Sequence, residues 1–238
     1  RTKGTIEKRY RGRLLMFFKE FSGVSYSFGN ETTSTFVQDL STYVDIIDDI
    51  KDSIDFYNYY DIIDERPDQL SFKLYEDVSF YWTFFLLNDH IRRQGWPVKQ
   101  VEVDTWIKKR YFRTVVTTRN SLDNVFPIGT ILNGSLSSES GNIVHRVEDL
   151  GQIFLREPNV NLTPGELAVD NNNNTISVFS SVDEYNAVKH YLDADGNIVD
   201  INPLEGPGAL YTPVTYYDFL VEENDKLRKI KVLKPEAI

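Results

Sequence analysis

The chain has 238 residues, a formal net charge of −10 and no cysteine, enough length for one large domain or two small ones with a sizeable core. The missing cysteine excludes a disulfide framework or a thiolate metal site and suits assembly in a reducing cytoplasm, while an acidic body does not favour nucleic acid, whose binding relies on Lys and Arg. The longest apolar run, residues 80–87, is interrupted by Thr83 and is far shorter than the roughly 20 residues that span a bilayer; no leader pattern opens the chain, so neither a membrane segment nor export by a signal peptide is expected.

Residues 1–15 form a basic arm: Arg1, Lys3, Lys8, Arg9, Arg11 and Arg13 stand against Glu7 alone. Such an arm suits an acidic partner or a solvated tail, the usual default. Residues 16–55 read as a docking segment followed by an amphipathic helix. Phe17, Phe18 and Phe21 cluster ahead of SGVSYSFGNETTS, a loop by composition. From residue 35 a helix is expected, with Asp45, Asp48, Asp49 and Asp52 on one side and Ile46, Ile47, Ile50 and Ile54 on the other. This stripe suits a cation or a basic partner, but a solvated helix face is the ordinary outcome of such patterning.

Residues 56–103 organise the rest. An aromatic strand (56–62) leads to a short helix in which Pro67 suits the first turn, Asp68 favours the positive end, and Leu70 and Leu74 share a face. It is expected to end near Tyr75. Asp77 then caps a second helix carrying Tyr81, Phe84, Phe85 and Asn88 at helical spacing, until Gly95 and Pro97 stop it. Phe80, Trp82, Leu86 and Leu87 fill its other faces, so this helix needs cover on more than one side, from elsewhere in the chain or from a partner. Val98, Val101 and Val103 alternate imperfectly and are read as the second strand, pairing with 56–62.

Residues 104–125 read as a basic connecting helix. Lys108, Lys109, Arg110 and Arg113 mix there with Trp106, Tyr111 and Phe112, a pattern that can stack single-stranded nucleic acid, though a basic solvent face fits a short segment in an acidic chain better. Residues 126–160 hold three β-rich runs, FPIGTILNG, GNIVHRVED and LGQIFLRE, separated by turn residues; they read as a β-meander, the core of a small barrel or sheet. Residues 161–213 read as loop and hairpin, with a loop or a left-handed turn at Asn171–Asn174, a strand or short helix at 182–191, and an Asp-Gly hairpin near Gly196 in place of a calcium loop, whose spacing is not met. Residues 214–238 read as a helix-strand clasp: Tyr217, Leu220, Val221 and Leu227 on one face with Asn224 in the stripe, then a strand at 230–233 able to pair with a sheet edge here or in another protein.

The motifs RPDQLSFKLY, YWTFFLLND and the GWP exit, with MFFKEF from Met16 and the closing YDFLVEENDKLRKIKVLKP, resemble the LysM-like module of phage baseplate proteins. More narrowly they are similar to the T4-type baseplate wedge family called gene product 53. The likeness is good over about the first hundred residues and the last thirty, and weak between. It implies an α+β fold: a LysM-like β-α-α-β module, a β-rich middle and a C-terminal helix and strand. It also implies a structural subunit of a contractile tail, present in six positions of the virion baseplate, assembled in the host cytoplasm, and joining other wedge proteins and neighbouring wedges. Carried over by position, the partner-contact candidates are Phe17, Phe18, Tyr81, Trp82, Asn88, Leu227, Ile230 and Val232.

No enzyme is expected. His90, His145 and His190 stand apart, without zinc-site spacing, and no Gly-x-Ser-x-Gly elbow or phosphate loop is present; no catalytic, cofactor or metal set is assigned. The rival reading is a cell-wall binding module, since LysM modules elsewhere bind peptidoglycan sugars.

Overall fold

The computed structural model describes residues 23–27, 34–38, 57–123 and 125–235. The chain divides into two compact units, one of Arg1–Pro97 with Leu227–Ile238, the other of Val98–Lys226. The boundaries therefore differ from those expected: the 56–103 segment ends at Pro97, and the C-terminal clasp is shared between the units.

In the first unit, β1 (Gly23–Tyr26) and β2 (Thr35–Gln38) form an antiparallel two-stranded ribbon. This overturns two expectations, a loop at 22–34 and a helix beginning at residue 35; Val24, Tyr26, Thr35, Phe36 and Val37 are β-forming types. The acidic stripe at 45–52 lies outside the described residues. β3 (Tyr57–Asp61) follows, then α1 (Pro67–Tyr75). Its start is set locally: proline occupies the first turn, Asp68 lies there too, and the Arg66 N–H donates to the Gln69 side chain at 3.1 Å. Glu76 at φ 58° ends it in the left-handed region, its N–H bonded to the Phe72 carbonyl.

Asp77 caps as expected, accepting from Ser79 N–H at 2.7 Å. The expected single helix beyond it is broken into three pieces: a 3₁₀ turn (Val78–Tyr81), α2 (Trp82–Leu87) and α3 (Asp89–Gln94), interrupted at Asn88 (φ −130°, ψ 93°) and closed by Gly95 at φ +96°. The interruption has a visible cause in β13 (Lys229–Leu233), the partner of β3. The Asn88 side chain donates to the carbonyls of Phe84 (2.8 Å) and Lys231 (2.7 Å) and accepts from the Lys231 N–H (2.7 Å). It stands where a third strand would.

The expected pairing of β3 with residues 98–103 is thus corrected: β13 closes the unit, from 166 residues away at the Ile62–Arg228 contact. Residues 100–110 are helical instead, as the burial of Val103 and Ile107, four apart, and the 81% exposure of Val101 require. The core of the unit joins Leu70, Tyr75, Phe80, Phe84, Leu87 and Ile91 to Leu227, Ile230 and Val232. Phe84 stacks on Tyr75 at 5.9 Å, Phe80 meets the same ring edge-on at 6.0 Å, and Trp96 lies 5.9 Å from Phe84. The cover that the second helix needed comes from its own chain.

The second unit opens with α4 (Gln100–Arg110) and β4 (Thr114–Thr118). The meander appears as β5 (Ile131–Gly134), β6 (Ser140–Val147) and β7 (Gln152–Leu155), and the region read as loop and hairpin supplies β8 (Leu167–Asp170) and β9 (Thr175–Asp183). These six strands close a barrel in the order β4-β7-β6-β5-β8-β9, every pairing antiparallel. Its interior is filled by Val116, Phe126, Leu132, Ile143, Ile153, Leu155 and Ile176, so it is a packed core and not a channel. The stretch 182–191 proves to be both kinds of element, a 3₁₀ turn at Glu184–Asn186 and then β10 (Val188–Leu192). β11 (Ile198–Val199) and β12 (Thr212–Thr215) flank β10, and α5 (Tyr216–Lys226) packs its Leu220 with Val103 and Ile107 of α4. Asn224 is buried and returns both bonds of Val98, accepting from its N–H at 2.7 Å and donating to its carbonyl at 3.1 Å.

Candidate interaction surface

Phe17 and Phe18 lie outside the described residues. Of the other partner-contact candidates, four are interior to the first unit: Asn88, Leu227, Ile230 and Val232 are all 9% exposed or less. All four are taken up by the core of their own unit, and the reason is β13. A strand paired on one side and packed on helices on the other spends its apolar side chains on its own core, about 1.5–3 kcal/mol for each large one. Trp82 is half-buried and Tyr81 is 48% exposed, so Tyr81 remains on the surface.

Residues not singled out from the sequence join it there. Phe72 on the outer side of α1, Val78 in the 3₁₀ turn, Ile63 after β3 and Tyr59 on β3 are all more than half exposed. The signal for Phe72 was available: Leu70 and Leu74 define the inner face of α1, and position 72 falls between them on the opposite side. Tyr59 shares a sheet face with Tyr57, whose ring it meets edge-on at 5.6 Å, and two ammonium groups lie over this pair, Lys229 by Tyr59 at 5.8 Å and Lys231 by Tyr57 at 4.6 Å.

Beside these groups runs a shallow open groove lined by Ile63, Asp64, Glu65, Gln69 and Lys73. Lys73 donates to Glu65 at 2.7 Å and to the Tyr60 hydroxyl at 2.8 Å. Burial acts to raise the Glu65 carboxyl, but the Lys73 ammonium, the backbone amides of Glu65 and Ile63, and the Tyr60 hydroxyl together hold it down at about 2. Its charge is therefore fixed through the neutral range, which suits a structural tie between β3 and α1 better than proton transfer.

In the second unit Glu166 and Glu184 are buried carboxylates, as is Asp170, which accepts from the N–H groups of Asn172 and Asn174 at 2.8 Å each. Glu166 accepts from Leu136 N–H, Ser137 N–H, Ser137 Oγ and Thr163 N–H at 2.6 to 2.9 Å. Glu184 is pushed up by burial, against the Arg113 amide and guanidinium, the latter at 3.8 Å. Glu166 and Glu184 each pin a loop to a strand. His145 lies against Phe154 and His190 against Phe219, each in its own ring contact. Among the described residues no group of three or more His, Asp or Glu side chains converges to hold a metal ion, and no helix is long and apolar enough to cross a membrane.

Fold and surface together define a mixed helix-and-strand protein with two parts, a six-stranded barrel and a two-stranded sheet packed on short helices. No family model matches the chain, and no curated protein matches it either.

Proposed function

We propose that the chain is a structural subunit of a contractile phage tail baseplate wedge, joining wedge proteins to one another, with residues 57–97 and 227–233 as its LysM-like module. One observation supports this reading above the rest. Residues 57–97 of the first stretch that carries the sequence likeness and residues 227–235 of the closing one, far apart in the chain, fold into the same unit, with β13 paired to β3, while residues 217–226 of the closing stretch lie in α5 of the other unit. Two parts of the likeness, divided in sequence, are thus joined in space by strand pairing, as the two ends of one module would be.

The exposed apolar residues of this unit, Phe72, Val78 and Tyr81, would supply apolar anchors for wedge contacts. The test is baseplate assembly with the other wedge proteins using Phe72→Ser combined with Tyr81→Ser. Assembled baseplates should fall at least about tenfold, a loss of 1.4 kcal/mol or more in docking, while soluble yield and melting temperature stay put. Wild-type assembly from this variant removes the proposal. Saturable retention of the wild-type chain on purified peptidoglycan, with no effect of the two substitutions on assembly, replaces it with cell-wall recognition.

A further inference from the structure

The two-stranded sheet of the first unit has two edges, and they are treated differently. On β13, the N–H and C=O of Lys231 are taken by the Asn88 amide at 2.7 Å each, and the Leu233 carbonyl accepts from the Tyr75 hydroxyl at 3.1 Å. That edge is closed by side chains. On β3 the phase of the pairing decides what is left. Lys231 lies opposite Tyr59 and turns both its backbone groups away from β3, so the two form a non-hydrogen-bonded pair and Tyr59 turns its own N–H and C=O outward. Alternation puts Tyr57 and Asp61 in the same state, and the Ile62 N–H donating to the Arg228 carbonyl at 2.8 Å fixes the same phase. Among the described residues none hydrogen-bonds this outward row. The strand, Tyr-Asn-Tyr-Tyr-Asp, has none of the proline, lysine or bulge that ordinarily blunts an edge.

We propose that β3 pairs with β3 of a second copy of this chain, antiparallel and centred on Tyr59, to give a continuous four-stranded sheet. The register follows from three constraints. Only residues 57, 59 and 61 turn their backbone groups outward, so pairing must set these residues opposite one another, and of the registers that do so only the one centred on Tyr59 uses all three. Centring on Asp61 sets two carboxylates face to face, which repel. Centring on Tyr59 engages all three residues of each copy, places Tyr57 opposite Asp61 of the second copy at both ends, and brings the two Tyr59 rings, each 62% exposed, together as a cross-strand aromatic pair. Charge fits the same register. The Lys231 ammonium lies 4.6 Å from the Tyr57 ring centroid, so each Asp61 arrives beside a cation of the other copy. This self-pairing concerns the free chain and stands independently of the wedge reading.

Sedimentation of the full chain across a concentration series should show a monomer–dimer equilibrium, and Tyr59→Pro, which removes an outward N–H together with the ring that meets its copy, should raise its dissociation constant at least about tenfold. A second variant guards against a folding defect. The chain has no cysteine, so Tyr59→Cys introduces a single thiol. Across a hydrogen-bonded antiparallel pair the two Cα atoms stand about 5.5 Å apart, within disulfide reach. Mild oxidation should give a covalent dimer from this variant and none from Ile128→Cys, an exposed site in the second unit. A chain that stays monomeric throughout, or a dimer that neither responds to Tyr59→Pro nor cross-links at position 59, overturns the proposal.

Discussion

Glu166 shows how much a single side chain can organise. Both carboxylate oxygens are occupied, Oε1 by Ser137 Oγ and Thr163 N–H, Oε2 by the N–H groups of Leu136 and Ser137, and the residue is 2% exposed. Burial works against its charge, yet the amides of Ser137 and Leu136, the Ser137 hydroxyl and the Thr163 amide outweigh it and keep the carboxyl below its usual range. Glu166→Gln must point its NH2 at a backbone N–H in either orientation. We expect a loss of about 1–3 kcal/mol in urea unfolding at neutral pH. The sign of the pH effect follows from the lowered folded value: the contribution is fully present above the ordinary carboxylate range and disappears as pH falls through the folded value. The gap between wild type and variant should therefore narrow on acidification, and a gap that widens contradicts this account.

Among the elements, those set by local chemistry were legible and those set by distant partners were not. α1 follows from Pro67, Asp68 and Gln69 at its start and ends at Tyr75 as expected; β5, β6 and β7 follow from β-forming runs between turn residues. β4, Thr-Val-Val-Thr-Thr, carried its own β-branched signal but was absorbed into the basic helix before it. The break at Asn88 had no local signal. Nothing near residue 88 announces that its amide will bind Lys231, 143 residues away, and without that strand the apolar spacing of 80–94 reads as one helix. Asn88→Leu keeps the bulk and removes the amide, leaving Lys231 N–H and two carbonyls without it, for a loss of about 2–4 kcal/mol readable as a lower melting temperature of the first unit. The turn between β6 and β7 makes a second test. Gly151 sits at φ +61°, and an added Cβ there would lie 2.4 Å from the Thr118 carbonyl oxygen. Gly151→Ala should cost more than about 1 kcal/mol in the barrel's unfolding transition.

For the whole molecule, the sequence of the second unit lies inside that of the first. The chain enters the second unit at Val98 and leaves it after Lys226, and the Val98–Asn224 bonds hold its entry and exit side by side. Residues 98–226 expressed alone should fold, with a single cooperative transition. The first unit should tolerate their replacement by a short Gly-Ser linker, because closing a shorter loop between β3 and β13 lowers the entropic cost of their pairing. Circular dichroism melting of both pieces checks this, and an unstructured 98–226 fragment refutes it.

The late position of β13 carries a consequence for biosynthesis. A ribosome has made every strand of the barrel before it reaches β13, so the nascent chain holds a completed domain while its earlier module waits unsealed. During that interval the rings of Phe80 and Phe84 lack the cover of Ile230 and Val232, and the Tyr75 hydroxyl and Asn88 amide lack their acceptors on the missing strand. A holdase chaperone should therefore meet the upstream half of this polypeptide for most of its synthesis, and a stop codon just ahead of residue 229 should leave a soluble barrel tethered to a sticky remnant.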